Sequence, residues 1–111
     1  MKSAVSSDPR YPVGKFSYAP AQNAAERNRR IEVLAKLPAQ VRGAVAGLSE
    51  QQLEMPYRAE GWTVRQVVHH IADSHMNAYV RTKLALTETE PTIKPYDEAA
   101  WAKLADSKEP V

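Results

Sequence analysis

A chain of 111 residues, 43% hydrophobic and 25% charged, is too apolar for general disorder and long enough for one small domain with a modest core. Having no cysteine, it excludes disulfides, thiolate zinc sites, iron–sulfur clusters and a cysteine nucleophile. The net charge of +2 comes from bases spread along the chain (Arg27, Arg29, Arg30, Lys36, Arg42, Arg65, Arg81, Lys83) with acids between them. That pattern reads as solvated surface, not as a nucleic-acid patch. The first ten residues lack the apolar stretch of a secretory signal, and no apolar run approaches a membrane span, so a cytoplasmic location is expected.

Residues 1–20 form an arm in which Pro9, Pro12 and Pro20 forbid a helix. Tyr11, Phe16 and Tyr18 predict that the arm packs onto the body, with the first six residues disordered. From about Gln22 to Leu48 the apolar residues Ile31, Leu34, Leu37, Val41, Val45 and Leu48 recur at helical steps. Pro38 falls inside this run and predicts a kink or a break. Ser49 with Gln52 resembles a capping box for a short turn over Glu50–Glu54, which Pro56 ends. Residues 55–61 form a loop closed by Glu60 and Gly61.

A second capping box, Thr63 with Gln66, opens a helix expected to reach about Leu86, roughly 24 residues and near 36 Å. Pro91 and Pro95 mark an extended connector. Asp97 caps a short helix over Glu98–Leu104, with Trp101 placed to seal one end, and Ala105 to Val111 show no pattern. No segment alternates like a strand. The fold class is therefore all-α, with two long helices and small ones. Two amphipathic helices cover each other's apolar stripes incompletely, which points to a bundle completed by a dimer or by further helices.

The second long helix holds all three histidines of the chain: His69, His70 and His75, with Asp73 between them. At about 100° per residue, Val64, Val67, Val68, Ile71, Ala78 and Tyr79 share an apolar arc with His75 near its middle. His70, Asn77 and Arg81 lie on one flank; His69, Asp73 and Val80 lie toward the other side. His75 is thus expected to be buried, either as a core histidine with one hydrogen bond or in a functional role. His70 can serve as a surface residue or as a ligand facing a cleft. His69 and Asp73, four apart, suit a shared metal or a plain hydrogen bond. Trp62 and Tyr79 read as packing residues. Ser74 and His75 diverge as helix neighbours and do not make a serine nucleophile with its base.

These residues carry a resemblance. Asp8–Phe16, Leu48–Leu53, Pro56–Arg58, Gly61–Asn77 and Thr92–Glu98 make the chain similar to the DinB-like superfamily, and within it to the YfiT-type metal-dependent hydrolases related to bacillithiol S-transferases. The resemblance implies a four-helix up-down bundle, of which this chain supplies the arm and the first two long helices, residues 21–111 being the N-terminal part of a single domain. It implies a divalent metal, zinc or nickel, held by three histidines. The family register, tryptophan followed eight residues later by histidine, places one ligand at His70. The other two belong to a histidine-x-x-x-histidine pair that this sequence lacks. The expectation is an N-terminal portion with an incomplete metal site, inactive alone. His75, Asn77, Asp73 and His69 are candidates to orient the metal ligands or the substrate. The implied reaction is hydrolysis of a small molecule, the alternatives being thiol S-transfer or a non-catalytic helical dimerisation module. A homodimer is the expected partner state.

Overall fold

A computed structural model describes residues 8–111. The expected disorder of the first six residues lies outside that range. Four helices follow in order, α1 (Ala24–Val45), α2 (Glu50–Leu53), α3 (Val64–Thr87) and α4 (Glu98–Trp101), and a 3₁₀ turn closes the chain at Ala105–Lys108. Beyond one isolated antiparallel bridge between Pro56 and Thr63, the described residues form no strand.

The arm does not pack as expected. Phe16 and Tyr18 are 90% and 78% exposed. The start of α1 beside them is charged (Glu26, Arg27, Arg29, Arg30) and offers no apolar face to cover them. The arm is held by polar contacts: Arg10 pairs with Asp8, and Arg30 donates to the Ala19 carbonyl at 2.8 Å. The Arg10 side chain chiefly, with its backbone N–H, holds the Asp8 carboxyl down at about 2.

Asn23 caps α1 by accepting from the Glu26 N–H. Glu26 in turn accepts from the Gln22 N–H and from Arg30, and both hold its carboxyl below the usual range. Of the expected kink or break at Pro38, no break occurs: the helix runs on through it. Proline removes only the donor to the Leu34 carbonyl, and Leu34 is 57% exposed, so water can replace it. The chain leaves the helix at Ala46, whose ψ is 129°, and a turn closed by the Leu48 N–H on the Val45 carbonyl follows, with Gly47 at φ 77° in the position that needs a positive φ.

Both capping boxes are present. Ser49 and Gln52 exchange bonds at the start of α2, and Thr63 and Gln66 do so at the start of α3. The loop between them closes as a small hairpin. Tyr57 N–H donates to the Trp62 carbonyl, Val64 N–H donates to the Met55 carbonyl, and Glu60 takes the left-handed conformation at φ 58°. α3 spans 24 residues, one beyond the expected end. Asp97 caps α4, which stops at Trp101 rather than at Leu104. The last residues, which show no pattern in the sequence, instead fold back: Ser107 is 3% exposed and its hydroxyl donates to the Trp101 carbonyl.

The two long helices run antiparallel. The end of α1, at Val45 and Leu48, faces the start of α3 at Val64; Leu34, farther back, faces Leu86. Their seam is not the core. The buried apolar residues, Leu53 and Ala102, lie on α2 and just after α4, around the first turns of α3. Ile31, Leu34, Tyr79 and Leu86 stay largely exposed, and the two apolar stripes cover each other poorly, as their width requires.

Candidate functional site

The site begins with how α3 is fixed. Thr63 accepts from the Gln66 N–H at 3.1 Å, and the Gln66 side chain accepts from the Thr63 N–H at 3.0 Å. The same Gln66 amide donates to the Ala102 carbonyl at 2.8 Å, so the cap also holds the segment after α4.

One residue earlier stands Arg65, a base that the sequence pattern assigns to the solvated surface. The structure corrects this: Arg65 is 5% exposed. It pairs with Glu50 on α2 and with Glu54, which caps the end of α2, and donates to the Glu109 carbonyl at 3.0 Å. Burial of a guanidinium requires that its donors be satisfied, and three separate acceptors meet that need. The Glu54 hydrogen bond chiefly, with Glu50, raises the Arg65 pKa against the opposing effect of burial. The spacing of Glu50 and Glu54, one helical turn apart, is the one sequence signal that foreshadows this pairing.

The three histidines part company. His69 Nε2 donates to the same Glu109 carbonyl at 2.8 Å, and it makes no bond with Asp73. The chain end folds back over α3 and brings an acceptor that helix geometry alone cannot show. His75, expected to be buried, is exposed because the seam it faces stays open. Asn77 donates to the Asp73 carbonyl at 2.9 Å, a bond along its own helix. His70 is half-buried beside Trp62, ring centroids 4.9 Å apart and planes at 62°, an edge-on contact. Neither of its ring nitrogens has a hydrogen-bond partner among the described residues.

His70 and Trp62 border an apolar groove of about 650 Å³ between α1 and α3, walled by Val41, Val45, Val67 and Ile71. Arg10 and Pro12 of the arm reach its rim. Among the described residues no group of three or more histidine, cysteine, aspartate or glutamate side chains could hold a metal ion. A catalytic zinc site takes three protein ligands and keeps one position open. The donors among the described residues therefore do not complete such a site. What the chain presents is one unpaired imidazole at the edge of an apolar groove, on a helix clamped at its first turn.

An all-helical chain with a tryptophan just ahead of a capped helix, and the half-buried His70 on that helix at the edge of an apolar groove, defines a class, and the sequence comparisons agree on which. The pattern of the DinB superfamily matches residues 33–110, and the chain belongs to that superfamily. It is 52% identical over 104 residues to a protein of Bacillus mycoides named, provisionally, as a metal-dependent hydrolase. It is 53% identical to a counterpart of the same name from Bacillus cereus. Each match covers 94% of this chain and 60% of the relative. The structure of YfiT from Bacillus subtilis superposes with a TM-score of 0.86 at 50% identity, over 91% of this chain and 58% of that one. YfiT is described as a probable metal-dependent hydrolase with an unusual four-helix bundle topology. The chain thus spans about three-fifths of the length of the relatives it matches. Among the described residues no helix is long and apolar enough to cross a membrane.

Proposed function

We propose that this chain carries one ligand, His70, of a metal-dependent hydrolase site of the DinB and YfiT kind. The metal is zinc or nickel, the substrate a small molecule, and the remaining protein ligands come from outside these 111 residues. The observation that carries this reading is the half-buried, partner-free His70 imidazole at the groove edge. The names of relatives at 52–53% identity support the reaction class. A cytoplasmic setting accords with a chain free of cysteine.

In this reading the chain's own residues hold the ligand in place. Trp62 packs edge-on against the His70 ring and restricts its rotation. The Thr63–Gln66 box and the Arg65 ion pairs fix the first turn of α3, and with it the direction of His70. His69 and Asn77 have their polar groups engaged by the Glu109 and Asp73 carbonyls. They support the helix and do not meet the substrate. His75 remains available to a ligand that enters the seam from its exposed side, whereas Asp73 does not line the seam.

The test is a titration of the purified chain with zinc or nickel, followed through the ring signals of its three histidines by NMR. His70 responds first, and His70→Ala abolishes the response while His69→Ala keeps it. The chain alone shows no hydrolase activity. A response that starts at His69 or His75 and persists in His70→Ala would overturn the assignment.

A further inference from the structure

The arm is pinned at two points, and both lie along one stripe of α1. At one end Arg10 and Pro12 sit on the rim of the groove, near Val41 and Val45. At the other, Arg30 holds the Ala19 carbonyl at 2.8 Å. Arg30, Leu34, Leu37 and Val41 follow one another at helical steps and face the same way. That stripe walls a furrow along the α1–α3 seam. Past the groove, the furrow continues as a stretch of about 300 Å³ beside Leu37, Val68 and His75, and then as one of about 470 Å³ beside Leu34 and Leu86.

Between the two pins the chain takes no regular structure. Val13, Phe16 and Tyr18 stand 83%, 90% and 78% exposed. Gly14 has φ 91° and open space where a side chain would stand, so the backbone can swivel there. From Pro12 to Ala19 an extended chain reaches about 25 Å. From Val41 back to Arg30 the helix rises only roughly 16 Å. The strap between the pins therefore has the slack to leave the charged start of α1 and lie down in the furrow. Its apolar side chains then leave water, which favours that position. Its one charge, Lys15, lies 5.4 Å from the Tyr11 ring at the pinned end, so closure does not require its burial.

We infer that residues 13–18 are a strap that closes over the furrow, with Phe16 seated between Leu37 and Val68 and Val13 shutting the groove at its rim. The structure holds the strap in its open position. Closure needs rotations only in the loose segment and breaks neither pin. It covers the groove beside His70 and excludes water from it, as lids do over sites. The inference concerns the chain's own arm and holds whether or not His70 binds a metal.

Phe16 is the only phenylalanine in the chain, so labelled phenylalanine rings give NMR signals that report on the strap alone. The expected result on the purified 111-residue chain is a set of nuclear Overhauser cross-peaks from the Phe16 ring to the methyl groups of Leu37, Val68 and Ile71. Phe16→Ala, at an exposed position, keeps the helix content by circular dichroism and shifts the Val68 and Ile71 methyl signals, because the ring no longer lies on them. Cross-peaks confined to the strap itself, or methyl signals that Phe16→Ala leaves unmoved, overturn the inference and leave the furrow to another occupant. Cross-peaks that join a labelled chain to an unlabelled one in a mixed sample place the strap on another copy and overturn it as well.

Discussion

Gln66 does two things at once, and a pair of substitutions separates them. Thr63→Ala removes the hydroxyl that accepts from the Gln66 N–H at 3.1 Å but leaves the Gln66 amide on the Ala102 carbonyl. Loss of an N-cap oxygen costs about 1 kcal/mol. Gln66→Ala removes the return bond to the Thr63 N–H and also the donor to Ala102, a residue 5% exposed. The first loss is worth about 1 kcal/mol and the orphaned acceptor about 1–3 kcal/mol, less a few tenths for the better helix propensity of alanine. Gln66→Ala should therefore be the more damaging by roughly 0.7–2.7 kcal/mol, or about 3–22 °C in Tm for a domain of this size. The assay is thermal unfolding followed by far-ultraviolet circular dichroism, at one fixed protein concentration so that association affects each variant alike. The double variant should cost less than the sum of the two, because both remove the same box. If Thr63→Ala proves as costly as Gln66→Ala, the Ala102 bond contributes nothing and the segment after α4 is held by other means.

Pro38→Ala restores the missing donor to the Leu34 carbonyl inside a helix that already runs through that position, so it should raise helix content and stabilise the chain by up to about 3 kcal/mol; an unchanged or lower Tm would show that the proline is built into the native packing. The Asp8 carboxyl, held at about 2 against an ordinary 3.8, favours the folded arm above pH 3.8. Its contribution is lost as pH falls from 3.8 toward 2, and Arg10→Ala, which removes the guanidinium but keeps the backbone N–H, should move the carboxyl titration part of the way back toward its ordinary range by NMR.

Local signals are the legible ones in this sequence. Asn23 is a cap that the pattern does not single out, but the Ser49–Gln52 and Thr63–Gln66 boxes and the Asp97 cap stand where the residue types place them. Such motifs can be read because donor and acceptor lie within three residues of each other. What stays hidden depends on contacts between distant residues. Arg65 reads as surface because periodicity cannot show that Glu50, Glu54 and the Glu109 carbonyl converge on it from 15, 11 and 44 residues away. Helix geometry offers Asp73 as a partner for His69, while the actual acceptor comes from the chain end, 40 residues on. The apolar arc that places His75 in a core is real. The furrow it faces simply has no cover among the described residues. Tryptophan eight residues before His70 is the most useful pointer to the site, and the edge-on contact of the two rings gives it a physical basis.

The clamp on α3 is concentrated at one end. Arg65, Gln66 and His69 tie its first turns to α2, to the Ala102 carbonyl and to the Glu109 carbonyl, whereas farther along the tie to another segment is Arg81 on the Lys94 carbonyl. Mechanically this is a beam built into a wall, with displacement growing toward the far end. His70 sits within the first two turns from the wall, so its imidazole keeps its bearing, while the far half of the helix, from Tyr79 to Leu86, is tied to another segment by the Arg81 bond to the Lys94 carbonyl. Precision at the histidine and tolerance at the far stripe then come from a single helix, and an insertion or substitution beyond Tyr79 can reshape the surface without turning the ligand.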